Sequence, residues 1–222
     1  MDEILQQIRA DLRRSMNGIA SKSMREKGLH YKLNFGVDVP RLRELSKRYL
    51  IDAQLAELLW GQETRELKIL ATMLYPVHEF DMDKADKWVK EISNHEIREQ
   101  VSMNLFQKLY FADKLVQKWT DSKDEEIRTS GYWLFARLLI VKSELVNQIN
   151  QKEIMEKMIS DLSTGSYFLR LSAQRALTFL GRTAKSFSKK ILEEIQDFQA
   201  SEDAAKKEIF DSLNFEFTDF PD

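Results

Sequence analysis

The chain has 222 residues, 43% of them hydrophobic and 32% charged, which is long enough to bury a core of its own. Seven glycines and three prolines are few for this length and argue against turn-rich β architectures. The absence of cysteine excludes disulfides and thiolate chemistry, and three histidines leave little for a metal site, so neither a metal nor another cofactor is expected.

The first residues, MDEILQQIR, are too charged for a secretory signal peptide. No apolar run approaches the about 20 residues that a membrane span needs. We therefore expect a cytoplasmic protein with no membrane partner.

The small net charge of −2 is unevenly distributed along the chain. Residues 193–222 form an acidic C-terminal segment with ten Asp or Glu and two Lys, whereas residues 1–192 carry 32 basic and 26 acidic side chains. A basic body of this kind can hold a polyanion. The alternative is that these charges only solvate helix faces.

Apolar residues recur at helical spacing almost throughout, with short polar or Gly/Pro interruptions. No linker divides the chain, so we expect a single all-α domain over residues 1–222. The spacing predicts helices over 2–16, 19–28, 40–49, 52–60, 63–75, 82–92, 94–109, 111–119, 124–140, 144–161, 166–181, 185–198 and 202–213.

Four of the predicted helices open with an apolar–basic pair, at intervals of 30, 30 and 42 residues. The pairs are Leu67-Lys68, Ile97-Arg98, Ile127-Arg128 and Leu169-Arg170. Helix pairs at this period predict a HEAT-like α-solenoid of stacked antiparallel helices with a concave groove. The four basic residues then form either a basic row along that groove or a ladder of salt bridges to neighbouring carboxylates.

The stretch NHEIREQVSMNLF, residues 94–106, admits two interpretations. Ser93 and Glu96 have the spacing of a capping box, in which case the charges only begin a helix. Alternatively His95 and Glu99, four residues apart and so on one helix face, belong to a site.

Several segments, in their order and spacing, resemble the DNA alkylation repair family, the AlkD-like HEAT-repeat DNA glycosylases. They are MREKGLHYKLNFGVDVPRLRELSKRY at 24–49, with its Phe35-Gly36-Val37 and Pro40, then Trp60, Trp88-Val89 and Asn104-Leu105-Phe106. The resemblance covers about residues 20 to 185. It implies a horseshoe of helix pairs whose concave face holds double-stranded DNA, alkylated DNA included. Active members excise cationic N3- or N7-alkylpurines, with a carboxylate beside the departing base's sugar and aromatic rings against the nucleotide.

The resemblance places Glu99 where the family has its catalytic Asp, and His95 where it has a Trp. It places Thr129 where the family has an Arg, and Arg175 where it has a second Trp. Glu99 is longer than the family's Asp by one methylene, and a carboxylate about 1 Å out of place can cost roughly 100-fold in rate. A fixed positive charge at Arg175 disfavours a cationic nucleotide. The catalytic set is therefore depleted.

The basic residues of the family pattern are better retained in this sequence than the catalytic ones. The sequence therefore predicts DNA binding with excision that is weak, altered or absent. If the chain does excise bases, Glu99 is its carboxylate, with His95 beside it. The predicted DNA contacts are Arg41, Arg43, Lys47, Lys68, Arg98, Arg128, Arg170 and Arg175. A HEAT-type scaffold that binds a protein partner is the alternative function, and a conventional enzyme with a substituted catalytic set is a third.

The C-terminal segment carries three phenylalanines among acidic residues, Phe215, Phe217 and Phe220. We expect them to dock the C-terminal end of the chain against the last helix pair. The alternative is that the segment lies in the basic groove as a mimic of DNA.

Overall fold

The computed structural model describes residues 2–218 and is all-α, as the sequence predicts. The only extended pairing within those residues is a single bridge between Leu33 and Thr64. The helices are α1 (Asp2–Arg14), α2 (Gly18–Glu26), α3 (Val39–Ser46), α4 (Ala53–Trp60), α5 (Arg65–Leu74), α6 (Met82–Lys90), α7 (His95–Asn104), α8 (Ala112–Thr120), α9 (Glu125–Ile140), α10 (Gln151–Thr164), α11 (Tyr167–Gly181), α12 (Lys185–Glu194), α13 (Gln196–Gln199) and α14 (Ala204–Thr218).

Three predicted helices are interrupted in the structure. The predicted helix 144–161 is a 3-10 turn at Glu144–Gln148 followed by α10, because the side chain of Asn150 accepts a hydrogen bond from the backbone of Glu153 and begins a new helix there. The predicted helix 185–198 divides at Ile195 into α12 and α13. The predicted helix 94–109 ends at Asn104, because Leu105 leaves helical geometry and the chain continues as a 3-10 turn.

The chain packs as two compact units. The first comprises the residues up to 85 together with 91–109, and the second comprises 86–90 together with the residues from 110 onward. The single domain and the concave groove stay predictions.

The core of the first unit lies where α5 packs against α3, α4 and α7. Leu67, Ala71, Ile97 and Val101 are fully buried there. Burial of apolar side chains of this size stabilises a fold by about 1.5–3 kcal/mol each. The two apolar residues that open these helices, Leu67 and Ile97, therefore belong to the core, as the repeat predicts.

The core of the second unit lies around α9 and α11, which pack against each other and against α8, α10, α12 and α14. Gly131 permits the close approach of α8, because a Cβ there would lie 2.9 Å from the backbone nitrogen of Thr120. Phe217 of α14 lies directly against Gly181, so this phenylalanine docks the C-terminal helix as predicted. Phe215 does not dock, since it is 66% exposed, and Phe220 lies outside the described residues.

Side-chain hydrogen bonds join residues about one repeat apart within each unit. In the first unit the indole of Trp60 donates to Glu91 (2.7 Å), 31 residues on. In the second, the indole of Trp119 donates to Asp86 (2.9 Å), 33 residues back. These bonds are the structural counterpart of the repeat seen in the sequence. No helix within residues 2–218 is long and apolar enough to cross a membrane.

Candidate nucleic-acid interface

The segment between α2 and α3 is held by two charged side chains at the start of α5. The buried carboxylate of Glu66 accepts hydrogen bonds from the backbone nitrogens of Phe35 (3.1 Å) and Val37 (3.2 Å). Arg65 donates from Nη1 to the Val37 carbonyl (2.6 Å) and to Glu66 (3.0 Å). Phe35 to Val37 is therefore anchored by polar contacts as well as by burial.

Gly36 allows this segment to pass close to α2. Its φ of +72° is a left-handed conformation, and a Cβ would lie 2.1 Å from the carbonyl oxygen of Asn17. Asp38 then caps α3 by accepting from the backbone nitrogen of Arg41 (2.7 Å), with Pro40 in the first turn. Gly36, Asp38 and Pro40 together make a tight entry into the basic helix.

The exposed face of α3 carries the predicted cations of the first unit, and they differ in their partners. Lys47 is paired with Glu44 (2.8 Å), whereas the side chain of Arg41 donates, among residues 2–218, only to the hydroxyl of Ser15 (3.3 Å). Arg43 is exposed and forms no ion pair with any carboxylate among residues 2–218. Arg43 therefore has no ion-paired carboxylate among residues 2–218, whereas Arg41 lies within electrostatic reach of Glu44.

Lys108, which the sequence did not single out, lies near Arg43. It is exposed and likewise without an ion pair in the described part of the chain. Burial of its stem and the charge of Arg43 lower the pKa of Lys108. Two neighbouring cations, neither of them ion-paired with a carboxylate among residues 2–218, form a local site of positive potential, which we call the Arg43–Lys108 pair.

Asn94, not Ser93, caps α7. Its side chain accepts from the backbone nitrogen of Ile97 (3.1 Å), so the predicted capping box is wrong in its residues although the helix start is capped. Glu96 instead accepts from Arg65 Nε (2.9 Å) and from the hydroxyl of Tyr31 (2.7 Å). Burial and the charge of Glu96 raise the pKa of Tyr31.

His95 and Glu99 are brought together on α7, with His95 Nε2 3.4 Å from Glu99 Oε1. The Glu99 side chain is 41% exposed and that of His95 is 20% exposed. Glu99 is therefore an accessible carboxylate that lies beside an imidazole. Its assignment as the catalytic group stays a prediction.

The four residues predicted to form a basic row have different surroundings. Lys68 donates to the Trp60 carbonyl (2.7 Å) and lies over the Trp60 ring, and burial lowers its pKa. Arg98 is 2% exposed. Arg128 pairs with Asp161 (3.1 Å), as the salt-bridge alternative expects, while Arg170 is half-buried beside a small cavity that Glu208 also lines. Lys68, Arg98 and Arg128 are thus turned to the protein, and a role in DNA binding stays a prediction for all four.

The second unit has a charge cluster of the same composition as the first. Tyr132 donates to Asp161 (2.7 Å), which also accepts from Arg128, just as Tyr31 and Arg65 share Glu96. Sequence reasoning missed both clusters. The available signal was the spacing of Arg and acid, 31 residues in the first unit and 33 in the second.

Arg175, the remaining predicted DNA contact, is exposed on α11 and lies over two aromatic rings. Its guanidinium carbon lies 4.7 Å from the ring centre of Trp133 and 5.7 Å from that of Phe179. Thr129, where the resemblance expects an Arg, is fully buried and donates to the Glu125 carbonyl. The hydroxyl of Thr129 is therefore not available to contact a phosphate.

A cavity of about 780 Å³ lies in the second unit, where the 139–151 segment meets the end of α11. Its charged lining consists of Lys142, Glu144 and Arg182. Within residues 2–218 no three His, Asp or Glu side chains lie close enough together to hold a metal ion.

The family model described as "DNA alkylation repair enzyme" matches residues 8–194, so the chain belongs to this family. A solved structure also matches, from a study reported as "A new family of proteins related to the HEAT-like repeat DNA glycosylases with affinity for branched DNA structures". The TM-score is 0.76 at 15% sequence identity, covering 95% of this chain and 94% of that chain. At this identity the likeness shows a shared HEAT-like fold. No curated protein matches the chain.

Proposed function

We propose that this protein binds double-stranded DNA through its phosphates and does not excise bases efficiently. The observation that carries the proposal is the Arg43–Lys108 pair, two exposed cations that lie within electrostatic reach of each other and form no ion pair with a carboxylate in the described part of the chain. A phosphate relieves the repulsion between two such cations, and contacts of this kind supply most of the sequence-independent affinity for DNA. Arg41 on the same helix adds a third positive charge.

The arrangement at α7 supports binding over excision. Glu99 pairs with an imidazole, and Glu96 is occupied by Arg65 and Tyr31. The stabilisation of an oxocarbenium-like sugar needs a carboxylate placed accurately beside it. Glu99 is the accessible candidate for this carboxylate. Its side chain is longer by one methylene than the family's Asp, and this extra length argues for weak or absent excision.

Branched DNA is a finer candidate substrate within this proposal. The structurally similar protein belongs to a group described by its affinity for branched DNA. A branch point brings phosphates of several strands close together, and a protein without lesion chemistry gains affinity from that density. The alkylated duplex predicted from the sequence is the competing ligand. The cytoplasmic location stays a prediction.

Binding of fluorescent linear duplex and four-way junction DNA tests the proposal. The double substitution Arg43→Ala/Lys108→Ala should weaken binding by at least about tenfold and lower the salt slope of log K by about 1.8, for two lost phosphate contacts. The control Lys22→Ala/Lys32→Ala removes the same charge from lysines already paired with Glu26 and Glu63. The control should stay near wild type.

Equal loss in both double variants would remove the Arg43–Lys108 pair from the interface. No binding of either DNA by the wild type would overturn the function and favour the scaffold alternative, in which the partner is a protein. Stronger binding of the junction than of the duplex supports the branched-DNA substrate, and equal binding contradicts it.

A further inference from the structure

Arg175 lies on α11 in a stack of rings and guanidinium groups. It covers Trp133, which is 4% exposed, and it also lies over Phe179. Arg182, farther along the helix, lies over Phe179 as well, at 5.3 Å. A guanidinium packed on rings has lost much of its side-chain freedom before any ligand arrives.

The two arginines of this stack differ in their charge partners. Arg182 is paired with Glu216 of α14, so its charge is neutralised within the protein. Arg175 forms no ion pair with any Asp or Glu among residues 2–218. The stack therefore presents one exposed cation that is positioned but not neutralised.

A guanidinium has five N–H donors, and its contact with ring faces does not use all of them. Those groups match a phosphate in geometry and can bind it through two parallel hydrogen bonds. A cationic base is repelled by the same group. The chemistry at this position therefore selects an anion.

We propose that Arg175, held by Trp133 and Phe179, binds a phosphate group of the DNA backbone. This contact rests on the DNA binding proposed above and adds a site in the second unit. Because the site recognises the DNA backbone, it contributes equally to the affinity for unmodified and for N7-methylated duplexes.

The test compares Arg175→Ala, Arg175→Lys and the matched control Lys152→Ala. Lys152 is likewise exposed, in the same unit, and without an ion pair in the described part of the chain. Arg175→Ala should bind duplex DNA about tenfold more weakly and lower the salt slope of log K by about 1. Arg175→Lys should keep the slope but lose affinity, since an ammonium cannot make the paired contact, and Lys152→Ala should resemble wild type.

A second measurement is independent of duplex binding. The Nε–Hε resonance of Arg175, assigned by its loss in Arg175→Lys, should shift in NMR spectra when inorganic pyrophosphate is added to the full chain. If duplex DNA binds but Arg175→Ala and Lys152→Ala behave alike, the phosphate contact is wrong and the DNA-binding function stands. If pyrophosphate shifts the resonance but duplex DNA does not bind, Arg175 binds an anion, and both the contact to the DNA backbone and the DNA-binding function are wrong. If neither pyrophosphate nor duplex DNA binds, the phosphate contact and the DNA-binding function are both wrong.

Discussion

The guanidinium of Arg65 and the carboxylate of Glu96 form a two-point ion pair, with Nη2–Oε1 at 2.7 Å and Nε–Oε2 at 2.9 Å. The Arg65 side chain is 2% exposed. Its other nitrogen holds Val37 and Glu66, so this pair ties the start of α7 to the segment that leads into the basic helix α3. The structural carboxylate of α7 is therefore Glu96, and the accessible one is Glu99.

Substitution of these two carboxylates should have different effects on the stability of the fold. Glu96→Gln removes one of the two carboxylates that pair with the buried guanidinium of Arg65, and it should lower the free energy of unfolding by about 3 kcal/mol. Glu99→Gln affects a pair that is only partly buried and should cost less than about 1 kcal/mol. Urea unfolding of both variants measures the difference. Equal losses would contradict the structural role of the Arg65–Glu96 pair.

Two glycines with positive φ should respond differently to alanine. Gly36→Ala places a Cβ against the backbone of Asn17 and should lower stability by about 3 kcal/mol or more. Gly28 has a φ of +84° but open space around it, so Gly28→Ala should cost only about 1 kcal/mol of left-handed strain. Thermal unfolding of the pair checks this, and a tolerated Gly36→Ala would refute the close approach of the segment to α2.

Tyr49 should make stability fall between pH 10 and 12. Burial and its hydrogen bond to Asp11 raise the pKa of Tyr49 from 10.0 to about 12. In that window the folded chain keeps the phenol proton and the unfolded chain releases it, so the free energy of unfolding decreases as pH rises. Urea titrations at both ends of the window should show a smaller decrease in Tyr49→Phe than in wild type. An identical decrease would show that Tyr49 is not responsible.

Base excision should be absent or close to the spontaneous rate. Single-turnover release of N7-methylguanine from duplex DNA should match catalyst-free DNA, because the carboxylate of Glu99 is paired with His95 and extends farther than the family's Asp. Glu99→Gln should leave the DNA affinity nearly unchanged. Release well above the spontaneous rate that Glu99→Gln abolishes would instead identify a working glycosylase with Glu99 as its catalytic carboxylate.

The all-α class, the order of the helices and the family could be predicted from the sequence, because apolar periodicity and the Phe35-Gly36-Val37 entry are local signals. The partners of the charged residues could not. Arg65 and Glu66 are consecutive in sequence, yet both are buried by contacts to segments about 30 residues away. The same holds for Arg128, whose phase in the repeat suggested a basic row but whose partner is Asp161. Which cation is neutralised depends on how neighbouring repeats pack. In the sequence, the only sign of this packing is the regular spacing between an arginine and an acidic residue.

The salt dependence of four-way junction and duplex binding by the wild-type protein tests the central claim most directly. Phosphate contacts release counterions, so we expect the affinity for both DNAs to fall at least tenfold between about 50 and 200 mM salt, with log K linear in log salt. A flat dependence, or no affinity for either DNA at 50 mM salt, would contradict the proposal that this chain binds DNA through its phosphates.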